Sequence, residues 1–167
     1  SSISFGTPVV FESAATQNIS TVYDANAQKV VICYHDDGNS SYGTAIVGTV
    51  SGTSISFGTP VLFYSGVAST IMTAYDSNAQ KIVVAYRDHD NGSYGRAKVG
   101  TVSGTSISFG SHTEFTSSSV SQITLGYDSS AQKIVLAYRQ SGVSGGAKVG
   151  TVSGTSISFG SVTTFSS

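Results

Sequence analysis

The stretch VGTVSGTSISFG occurs three times without a change, at Val47–Gly58, Val99–Gly110 and Val149–Gly160. Ile3, Ile55, Ile107 and Ile157 hold equivalent positions, so the steps are 52, 52 and 50 residues. Tyr23-Asp24, Tyr75-Asp76 and Tyr127-Asp128 keep the same beat, as do Ala27-Gln28-Lys29, Ala79-Gln80-Lys81 and Ala131-Gln132-Lys133. A fixed period near 50 is that of propeller-type repeats, and it exceeds the roughly 20–30 residues of one coil in most solenoids. Such a unit cannot bury its apolar surface alone; it must stack on its neighbours.

Each period divides into four short runs rich in Val, Ile, Thr, Tyr and Phe, the residues that fit a pleated sheet. Strand A is Ile19–Asp24, with Ile71–Asp76 and Ile123–Asp128. Strand B is Lys29–His35, with Lys81–Arg87 and Lys133–Arg139. Strand C is Gly43–Val50, with Gly95–Val102 and Gly145–Val152. Strand D is Ser54–Phe63, with Ser106–Phe115 and Ser156–Phe165, and a further D-like strand, Ser2–Phe11, comes first. Strand B is a continuous apolar run, as in Ile82-Val83-Val84-Ala85-Tyr86, and such a run needs cover on both faces. Pro8 and Pro60 place D at a sheet edge, because proline cannot donate to a ladder. Val22, Ala74 and Gly126 share one position of strand A, and small side chains there suit a crowded ring axis, so A is expected innermost.

The units YDSNAQKIVVAYRD and VGTVSGTSISFG resemble the tandem propeller-type repeats of phage tail, virion and bacterial surface proteins, and the resemblance covers essentially the whole chain. It implies an all-β fold, a β-propeller-type repeat array of three four-stranded antiparallel blades plus one extra N-terminal strand. The expected divisions are 1–11 for that outer-type strand, then blades at 12–63, 64–115 and 116–167. The resemblance also implies an extracellular or virion-surface setting and a binding or structural role, and it brings no catalytic motif with it. The chain has no tryptophan, unlike the Trp-rich blades of many lectin propellers.

In an A-B-C-D meander the A–B and C–D turns lie at one end and the B–C and D–A loops at the other. The first pair is nearly invariant between repeats, and the second varies. The B–C loops read HDDGNSSYG, RDHDNGSYG and RQSGVSG, from His35, Arg87 and Arg139; the D–A loops read ESAATQN, YSGVAST and TSSSVSQ, from Glu12, Tyr64 and Thr116. Variation of this kind arises by drift of solvated loops, or it marks a binding face, since loops on a rigid scaffold carry recognition. The candidate ligand-binding residues on that face are His35, Asp36, Tyr42, Arg87, Asp88, Tyr94, Arg96 and Arg139. A tyrosine can stack on a sugar while its hydroxyl hydrogen-bonds, and Arg and Asp can hold hydroxyls or charges.

Other chemistries find little footing. Gly142-Val143-Ser144-Gly145-Gly146 fits G-x-S-x-G, but a hydrolase elbow needs a following helix and a later histidine, and none follows His112. Asp88-x-Asp90-x-Gly92 is a fragment of a calcium loop without its distal glutamate, and the other repeats do not share it. His35, His89 and His112 lack zinc-ligand spacing. No metal or cofactor is expected, and no enzymatic activity. Cys33 sits in an apolar run, which suits a buried small side chain. Charged residues make up 10% of the chain and the net charge is −1. Nucleic acid is excluded as a partner because phosphate binding needs clustered Lys and Arg. No run of about 18 apolar residues encodes a membrane span. Asn18, Asn39 and Asn91 open glycosylation sequons.

Three blades are too few to close a ring, since propellers have about 4–8. Either the 167 residues are part of a longer array, or copies of the chain are the expected partners, as a dimer closing a six-bladed ring or as a filament. Cell-surface glycans are the other expected partner. Two functions stand side by side: a multivalent, non-enzymatic binding module for glycans, and a structural subunit of a fibre or filament built by strand or blade pairing.

Overall fold

The computed structural model describes residues 2–140 and 145–166. Its thirteen strands pair antiparallel throughout. Unit 1 holds β1 (Thr16–Asp24), β2 (Lys29–Asp36), β3 (Tyr42–Ser51) and β4 (Ser54–Phe57). β5 (Val61–Asp76) is shared: its first residues, to Val67, complete unit 1, and the rest opens unit 2 with β6 (Lys81–Asp88), β7 (Tyr94–Ser103) and β8 (Ser106–Phe109). β9 (Thr113–Asp128) is shared in the same way, completing unit 2 up to Ser119 and opening unit 3, which also holds β10 (Lys133–Gln140), β11 (Gly145–Ser153), β12 (Ser156–Phe159) and β13 (Thr163–Ser166). Among the described residues there is no α-helix; one 3-10 turn, Asp37–Asn39, interrupts the β2–β3 loop. The hydrogen-bonded path runs from β1 to β12 and does not return on itself, so the sheet is open.

The repeated letters are the turns. Asp24 Oδ1 accepts the backbone N–H groups of Asn26 and Ala27 at 3.0 and 2.9 Å. Asp76 and Asp128 do the same for Asn78 and Ala79 and for Ser130 and Ala131. This is the Asx geometry that favours a tight reversal. In the other invariant turn Gly52, Gly104 and Gly154 take φ of +58°, +59° and +58°, where an L side chain is strained. The repeat thus preserves the residues that set backbone geometry.

Strand D departs from the expected run. It breaks at Gly58-Thr59-Pro60, and the chain resumes in a 16-residue strand that passes straight through the expected D–A loop. The first part of β5 pairs with β3, from Ala45↔Val61 to Tyr42↔Val67. The second part pairs with β6, from Ala68↔Asp88 to Asp76↔Lys81. β9 repeats this arrangement between units 2 and 3. Register shifts near Tyr42–Thr44 and Ser69–Met72 bend the strand from one unit into the next. Tyr64–Thr70 and Thr116–Gln122 are therefore strand and not loop, because both halves find a ladder partner.

Ser2–Phe11 is not a strand up to residue 10, nor is Phe11 part of one. Its counterparts β4, β8 and β12 each pair with the third strand of their own unit. Such a partner would belong to a unit in front of residue 2, and the described residues contain none. The segment nevertheless lies where that unit's fourth strand would lie. A Cβ on Gly6 would run into the carbonyl oxygen of Thr53, and on Gly58 and Gly110 it would meet Thr105 and Thr155 in the same way.

The units pack face to face. Val31, Cys33, Ala45, Val47 and Phe63 of the first fourfold sheet interleave with Ile82, Val84, Tyr86 and Ile107 of the second. Val83, Ala85, Ala97, Val99 and Phe115 then interleave with Ile134, Leu136, Tyr138 and Ile157 of the third. The opposite face of unit 1, with Ile32, Tyr34 and Ile46, is covered by Phe11, Val30 and Phe57. Burial of each such side chain contributes about 1.5–3 kcal/mol. This explains the apolar runs: β2 and β6 are sandwiched and buried on both faces, while β10, equally apolar, alternates buried with exposed.

One aromatic joint recurs at every step. Phe63 packs on Tyr86 and Phe109, with ring centroids 5.3 and 6.0 Å away. Phe115 packs on Tyr138 and Phe159 at 5.2 and 6.0 Å. Phe11 packs on Tyr34 and Phe57 at 5.2 and 6.0 Å. A phenylalanine from one unit is thus a plug, and the Tyr–Phe pair of the next is its socket.

Candidate functional site

The variable segments do gather at one end of the units, where they bond to one another. His89 N donates to Val67 O at 3.0 Å, Val67 N donates to Asp90 Oδ2 at 2.9 Å, and Val120 N donates to Ser93 O at 3.0 Å. Ser69 Oγ lies 2.7 Å from His89 Nε2. Burial and the nearby Arg87 charge hold the His89 imidazole below its ordinary value.

Four of the eight candidate residues are buried. Asp88 is fully enclosed: Oδ1 accepts from Tyr64 Oη at 2.6 Å and from Asp90 N at 3.1 Å, and Oδ2 forms an ion pair with Arg96. Burial, reinforced by the bond to Asp88, pushes the Tyr64 phenol up. Asp36 caps the 3-10 turn, accepting from Asn39 N at 3.2 Å. His35 places Nδ1 2.6 Å from Ala68 O and Nε2 2.8 Å from Asp37 Oδ1. The hydrogen bond from Gln17, followed by His35, holds the Asp37 carboxyl below its ordinary value. Arg87 is half-buried, with Nη2 donating to Ser93 Oγ at 2.9 Å. Tyr42 and Tyr94 are half-buried at the starts of β3 and β7, and Arg139 is exposed on β10.

The differences between repeats are correlated in space. Position 64 hydrogen-bonds position 88, which pairs with position 96: Tyr, Asp and Arg. In unit 3 the same three places hold Thr116, Gln140 and Gly146, and Gln140 Nε2 donates to Thr116 Oγ1 at 3.3 Å. In unit 1 they hold Glu12, Asp36 and Thr44; there Tyr34 Oη donates to Glu12 Oε2 at 3.4 Å. Each unit has thus built its own internal solution to the same polar corner. Tyr64 and Glu12 open the D–A loops of the same variable face but were not in the sequence-based set; their variation in step with positions 36 and 88 was the available signal.

The calcium-like triplet is used internally, since Asp88 and Asp90 bond to the chain as described. Among the described residues no three His, Cys, Asp or Glu side chains cluster in a metal-binding group. Gly142, Val143 and Ser144 of the G-x-S-x-G run lie outside the described residues. No described helix is long and apolar enough to cross a membrane. Cys33 is buried, and burial pushes its thiol up to about 12.

A further opening lies elsewhere, on the outer face of unit 3. It is a cleft of about 430 Å³ lined by Ile123, Ala137, Tyr138, Arg139, Gly145 and Phe165, among others. On the same unit Val135, Val149 and Phe165 are 39, 51 and 64% exposed, whereas their counterparts Val83, Val99 and Phe115 in unit 2 are 0, 0 and 2% exposed. The cleft is the plug-and-cover joint of units 1 and 2 without the covering unit. Sequence alone pointed to open apolar blade faces but did not name these residues. No family model and no curated protein matches the chain.

Proposed function

We propose that this chain is a non-enzymatic structural repeat protein of an extracellular or virion surface, assembled through the faces of propeller-type blades. The observation that carries this reading is the outer face of unit 3. Its apolar residues are exposed, while the same residues in units 1 and 2 are covered by a following unit. Exposed apolar area of this kind calls for a partner, and the repeat itself specifies the partner's shape. The three four-stranded units are then blades, and face-to-face packing continues across chains into a ring or a filament. Sedimentation velocity from micromolar to millimolar concentration tests the reading. Mass rising in whole multiples of 17.1 kDa supports it, and a monomer at every concentration refutes it.

A second reading, multivalent glycan binding, draws support from Tyr42 and Tyr94, partly exposed at one position of successive units. Ser144 replaces them in the third repeat, which reduces the number of equivalent sites. Loss of glycan-array signal in Tyr42→Ala/Tyr94→Ala would support it, and an array with no signal for the parent chain would remove it.

A further inference from the structure

We propose that copies of this chain join head to tail by segment exchange: Phe165 of one copy enters the Tyr34–Phe57 socket of the next and displaces that copy's own residues 2–11. The inference rests on the assembly reading above and specifies its joint.

The two competing segments carry the same signature. Ser2-Ile3-Ser4-Phe5-Gly6 is followed by Phe11, and Ser156-Ile157-Ser158-Phe159-Gly160 by Phe165. The Gly-to-Phe spacing matches that of Gly58 and Phe63 and of Gly110 and Phe115, which form the two internal joints. In those joints the glycine lies against a threonine carbonyl of the following unit and the phenylalanine fills its socket. Gly6 and Phe11 make both contacts on unit 1. Gly160 and Phe165 make neither: the nearest atom to a Cβ at Gly160 is its own unit's Val149 O at 3.8 Å. A second copy docked on unit 3 with the internal geometry therefore finds two phenylalanines for one socket.

The way the segments are held decides which one yields. β12 and β13 are hydrogen-bonded to β11, and Ile157 is buried against Gly150. Residues 2–11 have no ladder partner among the described residues, and Ile3 and Phe5 are 79 and 86% exposed. Exchange releases the loosely held segment and completes a joint whose remaining surfaces already match: Val135 and Val149 on one copy, Ile32 and Ile46 on the next. The contact is heterologous, so two copies that meet at both ends close a ring and otherwise form an open array.

Three full-length variants and the parent chain test this by light scattering over a concentration series, with a thermal melt of each as a folding control. Phe11→Ala weakens the resident plug and is expected to lower the assembly midpoint about tenfold. Phe165→Ala removes the entering plug and is expected to raise it about tenfold or more. Gly160→Ala places a Cβ no nearer than 3.8 Å to the described atoms of its own chain and would collide with Thr53 of the second copy, so it is expected to raise the midpoint at least about tenfold without changing the melt. If the parent assembles and Phe11→Ala leaves the midpoint unchanged or raises it, residues 2–11 are not displaced and the exchange is overturned, while the assembly reading stands. A parent chain that stays at 17.1 kDa throughout overturns both.

Discussion

Phe115 and Phe165 occupy equivalent places, and substituting each with alanine should have very different consequences. Phe115 is 2% exposed, seated on Tyr138 and Phe159, and pressed against Gly95. A buried phenylalanine removes at least about 150 Å² from water. At about 25 cal/mol per Å² that amounts to about 4 kcal/mol, within the range of about 3–5 kcal/mol measured for Phe→Ala in cores. Phe165 is 64% exposed, so roughly a third of that area is at stake, or about 1 kcal/mol. Urea unfolding at a concentration where the chain is monomeric measures both. Phe115→Ala should also broaden the transition, because nearest-neighbour coupling holds a repeat array together, and unit 3 would unfold apart from units 1 and 2. Equal losses for the two variants would refute the plug-and-socket account of the joint.

Gly110→Ala should cost about 1–3 kcal/mol by forcing Thr155 away, while Gly160→Ala should be within about 0.5 kcal/mol of the parent; chemical denaturation of the monomer separates them. Arg96→Met should cost about 3–5 kcal/mol, because it strands the fully buried Asp88 carboxylate, and the loss should show in the urea midpoint. Cys33 should resist a thiol reagent at pH 8 and react only at the rate of unfolding, since its thiol is buried and raised to about 12. The Asp37 carboxyl is lowered in the fold, so its contacts with Gln17 and His35 are complete above the ordinary value of 3.8 and fade as pH falls below it; the Gln17 side-chain amide signal in an NMR titration reports this.

The turns were legible in the sequence because their residues act locally: Asp24, Asp76 and Asp128 cap their own reversals, and Gly52, Gly104 and Gly154 set their own φ. Strands A, B and C were legible for the same reason, and the two-sided burial of β2 and β6 followed from their unbroken apolar runs. The continuous β5 and β9 were not legible. Ser, Gly and Thr at positions 65–70 read as loop, and only pairing with two different strands keeps that stretch extended. Ser2–Phe11 failed in the opposite sense: its letters match β12, but a strand needs a partner and the described residues supply none. The burial of His35, Asp36, Asp88 and Arg96 was not legible, because polar residues in variable segments look solvent-facing. Asp88 and Arg96 instead neutralise each other beneath Tyr64, a relation visible only once the bend of β5 brings position 64 over position 88.

The joint between units is the centre of this account, and single cysteines placed on equivalent faces test it most directly. Val83→Cys and Val135→Cys, each made in a Cys33→Ser background, place one thiol at the same position of β6 and β10. The account predicts that the thiol at position 83 resists labelling at every protein concentration. It predicts that the thiol at position 135 labels rapidly in dilute solution and becomes protected as concentration rises and a second copy covers it. Rapid labelling at position 83 in the folded chain, or at position 135 in concentrated samples as fast as in dilute ones, would contradict it.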